Sequence, residues 1–413
     1  MPTLIDAALL ILAIGILIPM TVFCAECAAS VLFARSKREP FDDSRPRTVV
    51  LIPAHDEAAI IGETMTQLTP TLRPGDRVLV VADNCSDRTA DIARTFGAEV
   101  VERKDAARRG KSYALECGLA ELAADPPDVV VVLDADCRVD EMTVRRISDA
   151  ADRSERPVQA LNLCRADVRS GEVSVVSELG FRFKNLVRPL GCARLGLPCH
   201  LMGTGMAVPW DLLQTASFAD DHLAEDMQLG IELALRGRPA VFCPEASITS
   251  ALPNGGTSFI AQRTRWEQGH LQTMIAQMPR LLWAGIRRCD PALLFLAMDL
   301  TVPPLSLLIV CWLAVLTATV GAGLSGGAWL PAVLLACGGG VMTATVLAGW
   351  VRFCRDRIPL RSLASIPAYV LRKVPIYVRF FFGRRQRDWL RTERDAVFRN
   401  RAEIGCRFSR RQQ

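Results

Sequence analysis

Three long stretches without a charged residue most strongly limit how this chain can fold. They cover residues 7–25, 300–324 and 329–351. Each is about long enough to cross a bilayer, which takes roughly 20 apolar residues in a helix. A buried helix of a soluble protein is the alternative for each stretch. Because 50% of the 413 residues are hydrophobic, the sequence favours membrane helices beside one sizeable folded domain.

The distribution of Lys and Arg predicts the orientation of the chain. None precedes the first apolar stretch, whereas five follow it between Arg35 and Arg47. From Arg352 onward, 17 Lys or Arg stand against 5 Asp or Glu. Positive charge accumulates on the cytoplasmic side of a membrane. We therefore expect an uncleaved anchor with its N-terminus outside, and a cytoplasmic domain and tail, in a multi-pass protein of the bacterial inner membrane.

The basic tail also carries apolar and aromatic side chains among its arginines, namely Tyr369, Ile376, Tyr377, Phe380, Phe381 and Phe382. This mixture is typical of an amphipathic helix at a membrane surface, so membrane lipids are an expected partner. Nucleic-acid binding would need a recognition fold, and the sequence does not indicate one.

Between about residues 47 and 280, short β-branched runs alternate with helical patterns. The runs predict strands over 48–52, 77–82, 98–102 and 129–133, separated by helices over 58–68, 86–96 and 111–123. Such alternation predicts right-handed βαβ units in a mainly parallel sheet covered by helices. Ligands of such sheets bind at the carboxyl ends of the strands.

Polar residues follow three of these predicted strands. Segment 53–57 follows the first, Asp83 the second, and Asp134 and Asp136 the fourth. We expect them to converge on one site. Two carboxylates at a strand end favour a divalent metal with a diphosphate beside it, although an Asp-rich surface turn is the alternative. Asp83 can accept the imide N–H of a uracil ring.

Lys111 begins the third predicted helix. Residues 108–112 do not form a P-loop, because Asp105 occupies the position of the first glycine. An ammonium group at a helix start can still contact a diphosphate by charge.

These residues, in this order, resemble those of membrane-bound family-2 glycosyltransferases of the cellulose-synthase-like kind. The resemblance covers about residues 47–278 and the flanking membrane stretches. It implies a GT-A fold, a nucleotide-sugar donor, Mg²⁺ or Mn²⁺, and transfer with inversion at the anomeric carbon. The ordered set that carries it is 53–57, Asp83, Asp134, Asp136, Glu225, Asp226, Gln262, Arg265 and Trp266.

The resemblance also implies individual roles. Asp136 should bind the metal that bridges the donor phosphates, while Asp134 either contacts the ribose or joins the metal, through water or directly. The donor side comprises Pro53, Glu57, Asp83, Asp134 and Arg265. Lys111 is added to this set because of its charge. The acceptor side comprises Gly203, Glu225, Gln262 and Trp266, although Gly203 is equally compatible with a plain tight turn.

Asp226 is the expected catalytic base. In an inverting displacement a hydroxyl attacks the sugar as the diphosphate leaves, so a base must face the acceptor. Helical periodicity begins at Met227, and a helix N-cap is the alternative role for the aspartate. The helix dipole is expected to lower the pKa of Asp226.

Gln262, Arg265 and Trp266 are spaced as i, i+3 and i+4, which places them on one helical face. Arginine offers a planar donor fork to phosphate, and tryptophan an apolar face to a sugar. The alternative is an interfacial helix whose side chains contact lipid headgroups. His200 and His270 lack partner spacing for a metal or a triad and are expected in the core or on the surface.

These observations predict an α/β protein with an N-terminal transmembrane anchor (1–34), a cytoplasmic GT-A domain (45–285), two transmembrane helices (290–351) and a basic interfacial tail (352–413). We expect a metal-dependent inverting enzyme that transfers a sugar, with UDP-sugar as the expected donor, to a lipid-linked or glycan acceptor in envelope or exopolysaccharide synthesis.

Two alternatives remain. One is a processive β-linked polysaccharide synthase (poly-N-acetylglucosamine or cellulose-like), for which three crossings are few. The other is a non-catalytic subunit of a polysaccharide complex. The presence of Asp136, Asp226 and Arg265 counts against that subunit. Ala82 before Asp83, and His55 with Asp56 before Glu57, depart from the family pattern and leave base selectivity open.

Overall fold

The structure, a computed structural model, describes residues 4–33, 46–165, 171–214, 224–251 and 256–383, without the side chains of 171 and 256–261. The strands are β1 Thr48–Ala54, β2 Arg77–Asp83, β3 Glu99–Arg103, β4 Val129–Val132, β5 Arg138–Val139, β6 Val158–Arg165, β7 Met206–Pro209 and β8 Val241–Ala251. The helices are α1 Leu4–Leu32, α2 Ile61–Leu68, α3 Thr89–Thr95, α4 Lys111–Leu122, α5 Thr143–Ser154, α6 Gly171–Arg182, α7 Arg188–Arg194, α8 Trp210–Leu213, α9 Glu225–Leu235, α10 Gly256–Arg288, α11 Pro291–Leu300, α12 Leu305–Leu324, α13 Leu330–Phe353, α14 Leu360–Leu363 and α15 Ile366–Phe382.

The eight strands form one mixed, mostly parallel sheet in the order β3-β2-β1-β4-β7-β6-β8-β5. Strands β1 to β4 are parallel to their neighbours within that group, as are β6 and β8. β7 runs antiparallel between β4 and β6. The four residues of β4 are all valine and all buried, which is typical of a parallel strand covered on both faces. The predicted α/β sheet is confirmed.

Side chains that alternate along β1 divide the core into two layers. Val50 and Ile52 pack with Ile61 and Met65 of α2 on one face. Val49 and Leu51 pack on the other face, where α4 and α9 supply further buried side chains. The period of two residues is that of an extended strand, and it leaves the strand ends accessible between the helices.

Two helices begin later than the sequence pattern predicted. The pattern placed their starts at residues 58 and 86, whereas α2 begins at Ile61 and α3 at Thr89. The Asp87 carboxylate accepts the N–H groups of Ala58 and Thr89, so both segments form one hydrogen-bonded loop. Side-chain hydrogen bonds of this kind compete with helical ones.

Among the described residues, three helices are long and apolar enough to span a membrane: α1, α12 and α13. α1 packs against both of the others. The second predicted span was placed too early, because α11 ends at Leu300 and α12 begins only at Leu305. Pro303 and Pro304 lie between the two helices, and a proline there cannot continue the first one. These helices support an association with membranes.

α15 is the amphipathic helix that the tail composition predicted. Its buried side chains recur every three or four residues and are Tyr369, Val370, Lys373, Ile376, Tyr377 and Phe380. The Lys373 ammonium forms an ion pair with Glu267 of α10. The rest of the predicted tail, residues 384–413, lies outside the described residues.

A close helix contact and a buried ion cluster join α1 to the folded domain. Gly191 of α7 faces α1 so closely that an added Cβ would lie 1.8 Å from the carbonyl oxygen of Glu26. Arg188, one turn earlier in α7, donates to the Glu26 carboxylate at 2.5 Å and to the Asp299 carboxylate of α11. Removing one member of such a cluster leaves an uncompensated buried charge.

We expect Gly191→Ala to lower the thermal stability of the detergent-solubilised protein, because α1 and α7 must separate to admit the methyl group. A cost of about 1–3 kcal/mol is typical of overpacking. Gly180→Ala in α6 is the matched control, since nothing lies within 4 Å of its added Cβ. Equal melting temperatures for the two variants would contradict the close contact.

Candidate active site

One cavity collects every residue that the sequence assigned to the site. Its volume is about 510 Å³, and residues that follow β1, β2 and β4 line it. The predicted convergence of these strand ends is therefore confirmed, while the role of each residue stays a prediction. The twelve assigned residues in its lining are Pro53, Glu57, Asp83, Lys111, Asp134, Asp136, Gly203, Glu225, Asp226, Gln262, Arg265 and Trp266.

The end of β4 carries a set of atoms that fits a divalent cation. One ligand atom each from Asp134, Asp136 and Cys137 lies within 4.8 Å of the others. Burial, together with the two carboxylates, raises the pKa of the Cys137 thiol well above its usual range, so the thiol stays protonated. The two carboxylates remain, and carboxylate oxygens suit Mg²⁺ and Mn²⁺.

Lys111 holds together three elements of the site. It is the first residue of α4, and its ammonium group lies 2.5 Å from Asp134 and 2.6 Å from the carbonyl oxygen of Gly203. Glu225 at the start of α9 is 3.9 Å away. Burial opposes the charge of Lys111, but Asp134 and Glu225 raise the pKa of the ammonium group above its ordinary value.

Gly203 lies where two side chains of the site approach its backbone. Its φ is +84°, and an added Cβ would meet a carboxylate oxygen of Asp226 at 3.3 Å. The backbone conformation therefore favours a glycine, and a Cβ would be tight against Asp226, while a plain turn remains an alternative role for this residue.

Buried polar residues that sequence analysis missed fix the loop that carries Gly203. The Gln159 side chain donates to the carbonyl oxygen of Thr204 at 2.9 Å and accepts the N–H of Met202 at 2.8 Å. The Thr204 hydroxyl accepts the N–H of Asp134 at 3.0 Å. The sequence shows only that Gln159 is a polar residue inside an apolar strand, and this does not identify its partners.

The structure excludes the alternative role of Asp226 as a helix cap and reverses the expected direction of its pKa shift. α9 begins at Glu225 with Ala224 as its N-cap, so Asp226 lies in the first turn and is not the cap. The predicted lowering of its pKa is wrong. Burial raises the pKa of Asp226, and the Met227 N–H, Lys111 and Lys184 offset only part of that effect. Desolvation penalises the charged form more than the helix dipole favours it.

The same surroundings also raise the pKa of Glu225, and by more. The pKa of Glu225 is raised to about 7, because burial and the neighbouring Asp226 raise it by more than Lys111 lowers it. Two adjacent carboxylates near one ammonium group are thus not equally ionised near neutral pH. Asp226 keeps the more favourable hydrogen bonding to its charged form.

Asp83 and His55 also line the cavity. Arg103, at the end of β3, donates to Oδ1 of Asp83 at 2.6 Å. The His55 ring contacts the carbonyl oxygen of Asp83 at 2.6 Å. Arg103 also lies over the Tyr113 ring at 5.5 Å. Sequence analysis missed Arg103, because only the pairing of β2 with β3 brings it beside Asp83.

The predicted helical face of Gln262, Arg265 and Trp266 is confirmed in α10. All three line the cavity. The Trp266 ring contacts Phe181 of α6, with ring centroids 5.7 Å apart. His270, one turn further, also lines the cavity, and His200 lies 3.2 Å from Asp299, so both histidines belong to the interior.

The cavity extends beyond the residues that the sequence assigned. It continues between membrane helices, where Phe23 of α1, Ile309 of α12, Met342 of α13 and Val370 of α15 line it. Lys184 also lines the cavity, and the charges of Lys184 and Asp226 interact. The sequence gave no indication of Lys184, because its exposure to the cavity depends on how four distant helices pack.

A sequence profile described as "Glycosyltransferase like family 2" matches residues 46–269, more than half of the chain. The chain belongs to this family, as the resemblance predicted.

Two relatives are similar over part of their length. The chain is 30% identical over 241 residues to "Probable glycosyltransferase YdaM" of Bacillus subtilis, a match that covers 54% of this chain and 55% of the relative. It is 37% identical over 109 residues to "Beta-monoglucosyldiacylglycerol synthase" of Synechocystis sp., which covers 25% of this chain and 22% of the relative. The matches thus span about half of one relative and under a quarter of the other.

One solved structure shares the fold over nearly the whole chain. It is a mannosyltransferase from Pyrobaculum calidifontis in complex with GDP-Man and Mn²⁺, with a TM-score of 0.59 and 20% identity. The match covers 92% of this chain and 99% of that one. This likeness confirms the GT-A fold together with the flanking helices.

The raised pKa of Glu225 predicts how stability depends on pH. Between the unfolded value of about 4.3 and the folded value of about 7, the folded protein holds a proton that the unfolded chain has lost. The free energy of unfolding should therefore fall by about 4 kcal/mol as pH rises through this range.

Glu225→Gln should remove this fall, measured by chemical unfolding in detergent across the same pH range. Glu232→Gln on the same helix is the control and should retain it. A fall of equal size in the Glu225 variant would contradict the assignment.

Proposed function

We propose that this glycosyltransferase uses a divalent metal and moves a sugar, with inversion, from a nucleotide-sugar donor to a lipid-linked or membrane-proximal acceptor. One observation carries the proposal. The cavity that contains the carboxylate cluster also continues between the helices that are apolar enough to cross a membrane. A donor from the aqueous side and an acceptor from the membrane can therefore meet at the same atoms.

The donor occupies the strand-end half of the cavity in this proposal. Asp83, at the tip of β2, faces the base, and a UDP-sugar suits its carboxylate. Arg265 and Lys111 supply positive charge to the diphosphate, the former as a planar fork and the latter as a point charge. The mannosyltransferase of the same fold was solved with GDP-Man and Mn²⁺, which supports a nucleotide sugar as the donor class.

Asp136, with Asp134 beside it, would hold the metal. When bound, Mg²⁺ or Mn²⁺ neutralises charge on the departing diphosphate. Lys111, paired with Asp134, keeps that carboxylate oriented toward the site.

Asp226 serves as the base. The acceptor hydroxyl forms a bond to the anomeric carbon while the bond between that carbon and the diphosphate oxygen breaks. The hydroxyl proton passes to the Asp226 carboxylate, and the nucleoside diphosphate leaves. A raised pKa favours this role, since a base works best with a pKa near the operating pH. Trp266 and Gln262 orient the acceptor.

In our proposal this chemistry takes place on the cytoplasmic side of a bacterial inner membrane, within envelope or exopolysaccharide synthesis. The basic residues that follow the first and third apolar helices support that orientation.

Asp226→Asn should abolish most transfer while leaving donor binding intact, because only proton removal from the acceptor is lost. We expect a decrease in rate of about 10²–10⁴-fold. Titration calorimetry with the donor and a transfer assay with membrane lipid extract measure the two effects. Asp211→Asn, at an exposed position of α8, is the control. Near-normal transfer by the Asp226 variant would refute the assigned base.

Asp136→Ala should weaken donor binding in the presence of Mn²⁺ but not in its absence, because the carboxylate acts through the metal. Donor titrations with Mn²⁺ and with a chelator measure the difference. Asp91→Ala, an exposed aspartate of α3, should keep the metal dependence. A metal effect of the same size in both variants would argue against Asp136 as a ligand.

Trp266→Ala should impair transfer to the acceptor more than hydrolysis of the donor in water, since the ring contacts only the acceptor in this proposal. The two rates are measured side by side. Trp283→Ala, on an exposed face of the same helix, is the control. Equal losses in both reactions of the Trp266 variant would instead favour a contact with lipid headgroups.

A further inference from the structure

Lys184 is the most unusual side chain of the cavity. It belongs to the π-helical segment Phe183–Val187 between α6 and α7. A π turn shifts the register of a helix and is frequent at functional sites. The flanking Phe183 and Asn185 are buried, whereas the Lys184 side chain is exposed to the cavity that it lines. With the residues that the structure describes, it forms no hydrogen bond or ion pair.

The charged groups around Lys184 locate it within the site. Those acting on it most strongly are Asp226, Arg188, Arg263 and Glu267. Neither Asp134 nor Asp136 is among them. The charge of Lys184 therefore acts on Asp226, whereas the charge of Lys111 acts on both Asp134 and Asp226.

Lys184 shares its two neighbouring carboxylates with other cations. Glu267 pairs with Lys373, and Lys111 also acts on Asp226. Desolvation by the surrounding protein lowers the pKa of the Lys184 ammonium group, and Asp226 offsets only part of that effect. An anionic ligand would supply a close partner that Lys184 does not share.

Hydrogen-bond acceptors without a donor surround the same part of the cavity. Within the described chain, Oδ1 of Asn185, Oε1 of Gln262 and Nδ1 of His270 are buried and unpartnered. Nε2 of His270 lies 3.1 Å from the carbonyl oxygen of Val302 and must donate to it, which leaves Nδ1 as an acceptor. Burial lowers the pKa of His270 to about 3, so the ring is neutral.

These acceptors suit a ligand that brings O–H or N–H donors, while Lys184 suits an anion. A group with both a negative charge and hydroxyls satisfies the two demands. The cavity then continues past Phe23, Ile309, Met342, Val346 and Val370 between the membrane helices. Hydrocarbon is the chemistry that fits this end.

We propose that the acceptor is a lipid whose headgroup carries both a phosphodiester and a free hydroxyl, and that Lys184 binds the phosphodiester. The inference rests on the proposed function. The hydroxyl reaches Asp226, to which it gives its proton as its oxygen bonds to the anomeric carbon and the nucleoside diphosphate leaves. The hydrocarbon chains extend between α1, α12, α13 and α15. A neutral lipid leaves Lys184 without an anion.

The first part of the test compares acceptors for the full-length protein, with a radiolabelled nucleotide sugar and Mn²⁺. Phosphatidylglycerol and diacylglycerol are offered separately in phosphatidylcholine vesicles, and glycerophosphoglycerol is offered in solution. We expect a KM for phosphatidylglycerol at least about tenfold below that for diacylglycerol, as a charge-assisted contact gives. The soluble headgroup should be a poor acceptor. Equal use of the two lipids, or preference for the soluble headgroup, would overturn the inference.

The second part tests Lys184 itself. Lys184→Met should raise the KM for phosphatidylglycerol about tenfold, while the KM for diacylglycerol changes much less. Lys184→Arg should restore most of the affinity. Lys104→Met, which removes an exposed lysine outside the cavity, is the matched control. An unchanged KM in Lys184→Met would overturn the inference.

Binding of fluorescent phosphatidylglycerol separates this inference from the proposed function. If the wild type binds the lipid and Lys184→Met does not, yet no sugar is transferred, the headgroup site stands and the proposed function fails. If sugar is transferred but lipid binding and KM are the same in the wild type and in Lys184→Met, the proposed function stands and the headgroup site fails.

Discussion

The ammonium group of Lys111 holds the elements of the site together. Asp134, Asp136, Glu225 and Asp226 all face the same cavity, and like charges at such spacing disfavour each other's ionisation. Lys111 contacts Asp134 and the Gly203 carbonyl oxygen and lies close to Glu225. It therefore ties the end of β4, the loop before β7 and the start of α9 together. The sheet brings the strand ends together, and the positive charge of Lys111 offsets the repulsion among the carboxylates there.

Local patterns predicted the parts of the fold that depend on neighbouring residues. The all-valine run of β4, the aspartates after it and the helical spacing of Gln262, Arg265 and Trp266 are all confirmed in place. The late start of α3 was missed, because Asp87 bonds to a segment that lies 29 residues earlier. The direction of the pKa shift of Asp226 was missed for a related reason: a helix dipole is local, whereas burial depends on the whole surrounding structure.

The membrane helices explain why the site could be predicted only in part. Their existence follows from composition, but their packing decides which polar side chains border the cavity. Lys184 and His270 border the same cavity only because the π-helical segment, α10 and the loop at Val302 pack together. The close approach of α7 to α1 at Gly191 makes this meeting possible. A cavity that joins the carboxylates to hydrocarbon is thus a property of the tertiary structure.

Sugar transfer by the purified protein is the most direct test of this account. Full-length protein in detergent is incubated with Mn²⁺, a panel of radiolabelled nucleotide sugars and a membrane lipid extract, and the label is followed into organic-soluble and polymeric fractions. The account predicts label in a short, organic-soluble product from one donor. Label in high-molecular-weight polymer, or no consumption of any donor, would contradict it.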